Sequence, residues 1–260
     1  MSTKAVQGKL WSSSPSYWAN HFEPYFLPIY RKVFEKVDIS DDTSLLDAGC
    51  GSGLFSTLAI KAGAHVTGVD AAPGLLEIAR KRNPDNIFLE EDLEALPFKE
   101  ETFDVVAGFN SFQYAGDFEN ALKEAKRVLK TGGKLIVVIW DKPEASDGTN
   151  VLKAVGSLLP APAPGTPGPF ALSEDGKVEA VFEKLGLVTV SKTRVTCPFI
   201  YPDLSSGIKS FLGTGPTAAA LNLNSRELVE ETIATALKPY HTTEEIYYQQ
   251  NNFLLFIAEK

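Results

Sequence analysis

The sequence is poor in the residues that would announce metal, disulfide or histidine chemistry. Its 260 residues include two cysteines, three histidines and one methionine. Cys50 and Cys197 stand far apart and form neither a metal-ligand spacing nor a disulfide framework, so both are read as reduced, partly buried thiols. No His, Cys or paired-carboxylate cluster has ligand spacing, and no metal is implied. No apolar run approaches the roughly 18 residues that a membrane span requires, which leaves no membrane span to expect. The first 22 residues lack the apolar core and small-residue cleavage site of a secretory signal, and they are not Arg-rich like a transit peptide. A cytoplasmic setting is expected. Basic excess is missing too: 33 acids against 25 bases give a formal charge of −8. The basic clusters are short, such as Arg80-Lys81-Arg82 and Lys126-Arg127, so nucleic acid is a disfavoured partner and a small molecule the expected one. Oligomeric state is not legible.

What is present is a rhythm. From Ser44 to Trp140 short apolar runs alternate with helical patterns, the signature of a parallel sheet covered by helices on both faces. Strands are predicted at Ser44–Asp47, His65–Asp70, Ile87–Leu89, Phe103–Ala107 and Lys134–Trp140. His65 begins the second of these and reads as structural. Helices are predicted from Leu54 to about Gly63, from Pro73 to Arg82, and from Phe118 to a stop near Thr131-Gly132-Gly133. Beyond Trp140 the pattern changes. Pro160 to Pro169 holds five prolines and two glycines, which reads as a linker or lid loop. Ser173 is a candidate cap for a helix to Leu185, strand-like segments near 187–200 and 246–259 would finish the sheet, and helices are expected at Leu204–Leu212 and Asn224–Lys238. No internal repeat is visible. The domain reading is therefore an N-terminal helical segment (1–43) forming part of a cap, a ligand-binding core (44–140), and a remainder (141–260) carrying inserted lid segments at about 150–172 and 201–240.

The chemistry centres on Asp47-Ala48-Gly49-Cys50-Gly51-Ser52-Gly53, between a predicted strand and a predicted helix. Glycines at alternate positions let the chain turn tightly and let a ligand approach where any Cβ would collide. In doubly wound sheets the crevice lies at the carboxyl ends of the strands, so this turn is where a nucleotide-like cofactor should rest. Asp70 closes the second strand about 20 residues further on, placed to accept hydrogen bonds from both ribose hydroxyls. Taken alone, the loop could be a flexible turn and Asp70 a helix cap.

These motifs resemble those of class I S-adenosylmethionine-dependent methyltransferases, in the type 11 branch that includes the ubiquinone and menaquinone biosynthesis enzymes. The resemblance covers Leu45 to Trp140 strongly and the closing strands through the order of elements. It implies a Rossmann-like α/β fold: a doubly wound, mostly parallel seven-stranded sheet whose last strand is antiparallel, with a helical cap. It implies S-adenosyl-L-methionine as cofactor, with Asp47, Gly49, Cys50, Gly51 and Gly53 on its methionine part and Asp70, with Ala71 after it, on the ribose. Asp92 and Leu93, in Glu90-Glu91-Asp92-Leu93-Glu94-Ala95-Leu96-Pro97-Phe98, match the segment that holds the adenine. Phe103-Asp104-Val105-Val106 and Leu129 to Leu135 match the fourth-strand motif and the turn before strand five. Gly108 and Phe109 are placed at the cofactor, Gln113 and Tyr114 near the transferred methyl. This chain departs from the family where many relatives carry Leu-His-His: it reads Phe112-Gln113-Tyr114, so no histidine role carries over there. In the aromatic N-terminal segment, Tyr17 and Trp18 are candidate pocket residues and His21 a candidate general base. The resemblance implies methyl transfer to a small molecule, although a protein or RNA acceptor is a further possibility within the family. The other readings are a protein that binds the cofactor or a metabolite without turnover, and an NAD-dependent oxidoreductase, whose Gly-x-Gly-x-x-Gly spacing this loop does not match.

Overall fold

The computed structural model describes residues 2–161 and 170–260. A seven-stranded sheet is formed by β1 (Ser44–Ala48), β2 (His65–Asp70), β3 (Ile87–Glu90), β4 (Phe103–Phe109), β5 (Leu129–Trp140), β6 (Val188–Thr196) and β9 (Asn252–Glu259). The spatial order is β3-β2-β1-β4-β5-β9-β6. β1 to β5 run parallel, while β9 lies antiparallel to both β5 and β6. The order reverses beside β1, which opens a crevice at the carboxyl ends of β1 and β4. This is the architecture that the family resemblance implies, including the antiparallel last strand.

Alternation along the strands divides the interior in two. Leu45, Ile136, Val138 and Trp140 face one layer with α3 (Leu27–Lys36), α4 (Leu54–Lys61) and α7 (Gly148–Gly156). Leu46, Leu135, Val137 and Ile139 face the other with α6 (Phe118–Val128) and α8 (Lys177–Lys184). Helix α5 (Pro73–Arg82) covers β3 through Leu76 and Ala79 against Phe88. Because strands buried on both faces cannot show polar alternation, β5 reads as a continuous apolar run in the sequence. Pro73 starts α5 at a position where its missing N–H costs nothing, and Asp117 caps α6 by accepting from the Asn120 N–H at 3.0 Å.

The N-terminal segment comprises α1 (Lys4–Trp11), one turn α2 (Pro15–Tyr17), a wide π-turn at Trp18–Phe22 and a 3-10 turn at Glu23–Phe26 before α3. The carboxyl-terminal half supplies α9 (Leu204–Leu212), α10 (Gly215–Leu221) and α11 (Arg226–Leu237). These helices pack against α7 and the N-terminal turns, over the same ends of β4 and β5.

Several expectations are corrected. The strand-like segments at 187–200 and 246–259 do not go wholly into the main sheet: each breaks, and β7 (Phe199–Tyr201) pairs with β8 (Tyr247–Gln249) as a separate two-stranded sheet. α10 is an additional helix, hidden in the sequence by Gly213, Gly215 and Pro216. β5 starts at Leu129 rather than Lys134, because Leu129 already pairs with Phe103 before the chain bulges. Ser173 caps nothing. Its hydroxyl donates to the Trp140 carbonyl at 2.7 Å, and α8 starts later, after Gly176. His65 is exposed at the mouth of β2. Part of the proline-rich stretch, 162–169, lies outside the described residues.

Leu45 is 0% exposed in a central strand. Leu45→Ala is expected to destabilise the fold by about 2–5 kcal/mol through lost burial and a residual cavity, read as a lower urea midpoint with an unchanged slope.

Candidate functional site

The turn after β1 is folded onto the end of β2. The Gly49 and Cys50 N–H groups donate to the Val69 carbonyl at 2.8 and 2.9 Å, and the Gly51 N–H donates to Asp70 Oδ2 at 2.8 Å. Gly49 has φ +82°, and a Cβ there would stand 2.2 Å from that of Ser111, so the position excludes any side chain on two independent grounds. Gly53 ends the turn in the same left-handed region and leads into α4.

A cavity of about 120 Å³ lies over this turn, at the carboxyl ends of β1, β2, β4 and β5. Its wall is chemically divided. Toward β2 and β3 stand Asp70, Ala71, Glu91, Asp92 and Leu93. Toward β4 and β5 stand Phe109, Asn110, Tyr114 and Trp140, with Trp18, Phe22 and Phe26 from the N-terminal turns. Asp70 Oδ1 accepts from the Ala72 N–H at 2.8 Å, so each carboxylate oxygen holds one backbone donor and keeps capacity for another. Burial raises the Asp70 carboxyl above its ordinary value, against the pull of those N–H groups. Asp92 Oδ1 accepts from the Glu94 N–H at 2.9 Å, and Oδ2 accepts from the Ser2 hydroxyl.

Of the residues expected at a cofactor, Gly49, Gly51, Asp70, Ala71, Asp92, Leu93 and Phe109 all line this one cavity. Asp47, Cys50, Gly53 and Gly108 do not. Asp47 is 1% exposed and lies behind the turn, where Oδ2 accepts from the Ser56 hydroxyl at 2.6 Å. Cys50 points the other way, into the apolar contact with Leu76, Ala79 and Phe88. In the aromatic half, Tyr114 and Trp18 line the cavity, whereas Tyr17, His21 and Gln113 stand outside its wall. His21 is corrected as a base candidate on position. The π-turn directs Trp18 and Phe22 inward, so the His21 ring lies beside Tyr17, 6.0 Å between centroids, while its carbonyl accepts from the Ser210 hydroxyl.

The sequence reading missed Glu23 and Arg82. Glu23 is 2% exposed among aromatic neighbours. It accepts from the Ser52 hydroxyl in the glycine turn and from Arg82 Nη1 at 2.5 Å, while Arg82 Nη2 reaches the Ala19 carbonyl at 3.0 Å. Burial pushes the Glu23 carboxyl up, and Arg82 and Ser52 pull it back. The available signal was a glutamate inside an aromatic run, since a buried charge requires a partner. Arg82 was absorbed into a short basic cluster.

Two predictions follow from this geometry. Burial, the largest cause, raises the Asp47 carboxyl to about 7, with Ser56 opposing and the Glu23 and Asp70 charges reinforcing. A folded-state value above the unfolded one gives stability that is complete below the ordinary carboxylate range and is lost as pH rises through about 7. Asp47→Asn should therefore gain Tm relative to the wild type at pH 8 compared with pH 5; an offset independent of pH would contradict the assignment. At Gly8, an added Cβ would stand 2.2 Å from the Ala71 carbonyl oxygen. Gly8→Ala should lift α1 from the cavity, seen as faster tryptic cleavage after Lys4 and Lys9 with little change in global Tm.

Comparison with known proteins agrees with this geometry. Residues 46–137 match the family model described as a methyltransferase domain. A malonyl-[acyl-carrier protein] O-methyltransferase from Erwinia pyrifoliae is 27% identical over 72% of this chain and 67% of its own length. A demethylmenaquinone methyltransferase from Streptomyces griseus is 35% identical over 44% of this chain and 49% of its own. The chain spans between 36% and 67% of the length of such curated relatives. Among solved structures, a SAM-dependent methyltransferase from Aquifex aeolicus superposes with a TM-score of 0.54 at 19% identity, over 70% of this chain and 92% of that one. Residues 46–137 thus match the methyltransferase-domain family, and the sheet has the fold of S-adenosylmethionine-dependent methyltransferases of known structure.

Proposed function

We propose that the protein transfers a methyl group from S-adenosylmethionine to a small-molecule acceptor. The observation that carries this reading is the single cavity into which the glycine turn, Asp70 and Asp92–Leu93 all open. The residues present fit such a cofactor. Asp70 retains acceptor capacity for a ribose diol, and the Asp92 side chain with the Leu93 backbone faces the place for an adenine. At the opposite end the Trp18 indole Nε1 is buried without a hydrogen-bond partner, 3.2 Å from where a Gly51 Cβ would sit. A carboxylate-bearing amino-acid moiety would satisfy that orphaned donor.

When bound, the cofactor supplies a methyl on a positively charged sulfur; an acceptor lone pair forms the new bond, and the S–CH3 electron pair stays on sulfur to leave a neutral thioether. The protein's own contribution is position. Asp70 and the glycine turn fix the nucleoside, and the aromatic wall holds the acceptor in line while excluding water. Aromatic faces also favour a cationic sulfur electrostatically. No histidine lines the cavity among the described residues, and burial pushes the Tyr114 hydroxyl up to about 12, so neither supplies a base near neutral pH. The carboxylates of the wall, Asp70, Glu91 and Asp92, stand on the β2–β3 side, which favours an acceptor that brings its own nucleophilicity. At about 120 Å³ the cavity is smaller than the 300–1,000 Å³ usual for ligand pockets, which supports ligand access by displacement of α1.

The relatives' names support a small or carrier-linked acceptor in preference to nucleic acid, as does the net charge of −8. Two free, buried cysteines support a reducing, cytoplasmic setting, and no helix among the described residues is long and apolar enough to cross a membrane.

The test is calorimetric titration with S-adenosylmethionine, S-adenosylhomocysteine and NAD in parallel. Binding of both adenosyl ligands without an NAD signal is expected, with affinity falling at least tenfold in Asp70→Ala; NAD binding alone would make hydride transfer the working hypothesis, and adenosyl binding without methyl release to any acceptor would leave a sensor.

A further inference from the structure

Besides the Trp18 indole, the aromatic half of the cavity contains a carboxamide that belongs to a pair left open at both ends. Asn110 follows β4 in left-handed backbone at φ +50°, a conformation that asparagine tolerates better than most residues, and its side chain lines the cavity. Gln113 Nε2 donates to Asn110 Oδ1 at 3.1 Å. The remaining ends, Asn110 Nδ2 and Gln113 Oε1, are buried without partners. The two ends of a carboxamide have almost the same shape, and turning both amides over gives the same account: one hydrogen bond shared, one donor and one acceptor unused. Unpaired buried polar groups are unfavourable enough that a recurring explanation is a ligand that completes them.

Most other hydroxyl groups of the cavity are engaged, that of Tyr114 being the exception among the described residues. The Ser111 hydroxyl donates to the Ala48 carbonyl at 2.6 Å, that of Thr214 to the Phe211 carbonyl at 2.9 Å, and Gln7 Oε1 receives the Trp11 indole N–H at 3.1 Å. Charge is also segregated. The sheet order places Asp92 beyond β3, Asp70 at the end of β2, the glycine turn after β1, Asn110 just after β4 and Trp140 at the end of β5. The cavity's one lysine, Lys4, is held at the β3 side by the Glu90 carbonyl and Glu91. A negative group beside Asn110 would thus have no cationic side chain to meet, whereas a neutral oxygen would need only a carboxamide.

We propose that the β4–β5 half of the cavity is the acceptor pocket and that Asn110 is its specificity-determining residue, engaging a neutral hydroxyl of an otherwise apolar, ring-bearing acceptor. Gln113 is a positioning residue that holds the Asn110 carboxamide at its rotamer. This rests on the methyltransferase reading, because it assigns the β1–β3 half to the cofactor.

The experiment uses the full chain saturated with S-adenosylhomocysteine and measures binding of 2-naphthol, naphthalene and 2-naphthoate by equilibrium dialysis. Failure of the wild type to bind S-adenosylhomocysteine would sink the methyltransferase reading before any aromatic probe is added. With the cofactor product bound, the wild type should prefer 2-naphthol to naphthalene by about tenfold, the size of one net hydrogen bond, and 2-naphthoate should bind more weakly than 2-naphthol. Asn110→Gly suits the left-handed backbone, so it should fold; it should bring the naphthol-to-naphthalene ratio close to one while S-adenosylhomocysteine affinity stays within about twofold. Gln113→Leu should lower the ratio by a smaller factor with unchanged Tm at the cofactor-saturated state. An unchanged ratio in Asn110→Gly, preference for 2-naphthoate, or no binding of 2-naphthol would overturn the proposal. So would a tenfold loss of S-adenosylhomocysteine affinity in Asn110→Gly, which would place Asn110 with the cofactor.

Discussion

The backbone of the turn after β1 is held by the end of the neighbouring strand, and everything at the site is referred to that contact. Three consecutive N–H groups, of Gly49, Cys50 and Gly51, point at Val69 and Asp70. Asp70 thereby does two things at once. It anchors the turn through Oδ2 and the Ala72 N–H through Oδ1, and its remaining acceptor capacity faces the cavity. Its replacement is consequently a change in the shape of the cradle as well as in its charge. The same contact explains why residues next to one another in the motif part company: Gly49 and Gly51 face the ligand space, while Cys50 and Asp47 fill the layers behind it.

A second buried carboxylate carries this order outward. Glu23 joins three segments that are remote in sequence, the N-terminal turns, the glycine turn through Ser52, and the end of α5 through Arg82. Removing one partner would leave a charge in an apolar layer, which is far more costly than the pair is stabilising. The aromatic wall is therefore fixed relative to the cradle by ionic as well as apolar contacts, with Phe22 and Phe26 packed on Phe199 and Phe253 at ring separations between 5.2 and 6.3 Å. A pocket whose two halves have different chemistry is held in one register.

Legibility in the sequence followed the range of the interactions. The parallel strands, α5 and α6 were readable because their signals are local: apolar runs, Pro73 at a helix start, glycines at strand ends. The half of the site facing the cofactor was readable for the same reason, since the Gly49–Gly53 turn and Asp70 owe their positions to strand ends. The acceptor half was not. Asn110 and Trp18 converge only through folding, and the π-turn that decides whether Trp18 or His21 faces inward has no sequence signal of its own. Glu23 and Arg82 are separated by 59 positions, and only the three-dimensional structure shows that they neutralise each other. The two-stranded β7–β8 sheet was merged with its neighbours because breaks of two residues are invisible to periodicity.

The docking of the N-terminal segment has a consequence for how the chain is made. Trp11 lies against Gly215, where a Cβ would meet its indole at 2.7 Å, and the backbone at Trp18 lies equally close against Gly213. Residues 11–22 are translated before their partners near residue 215, which enter the chain only after the parallel strands. Trp11, Trp18 and Phe22 therefore have no completed site to enter until residues 211–215 have been made. The wall of the ligand cavity is thus completed only when the residues near 215 are in place.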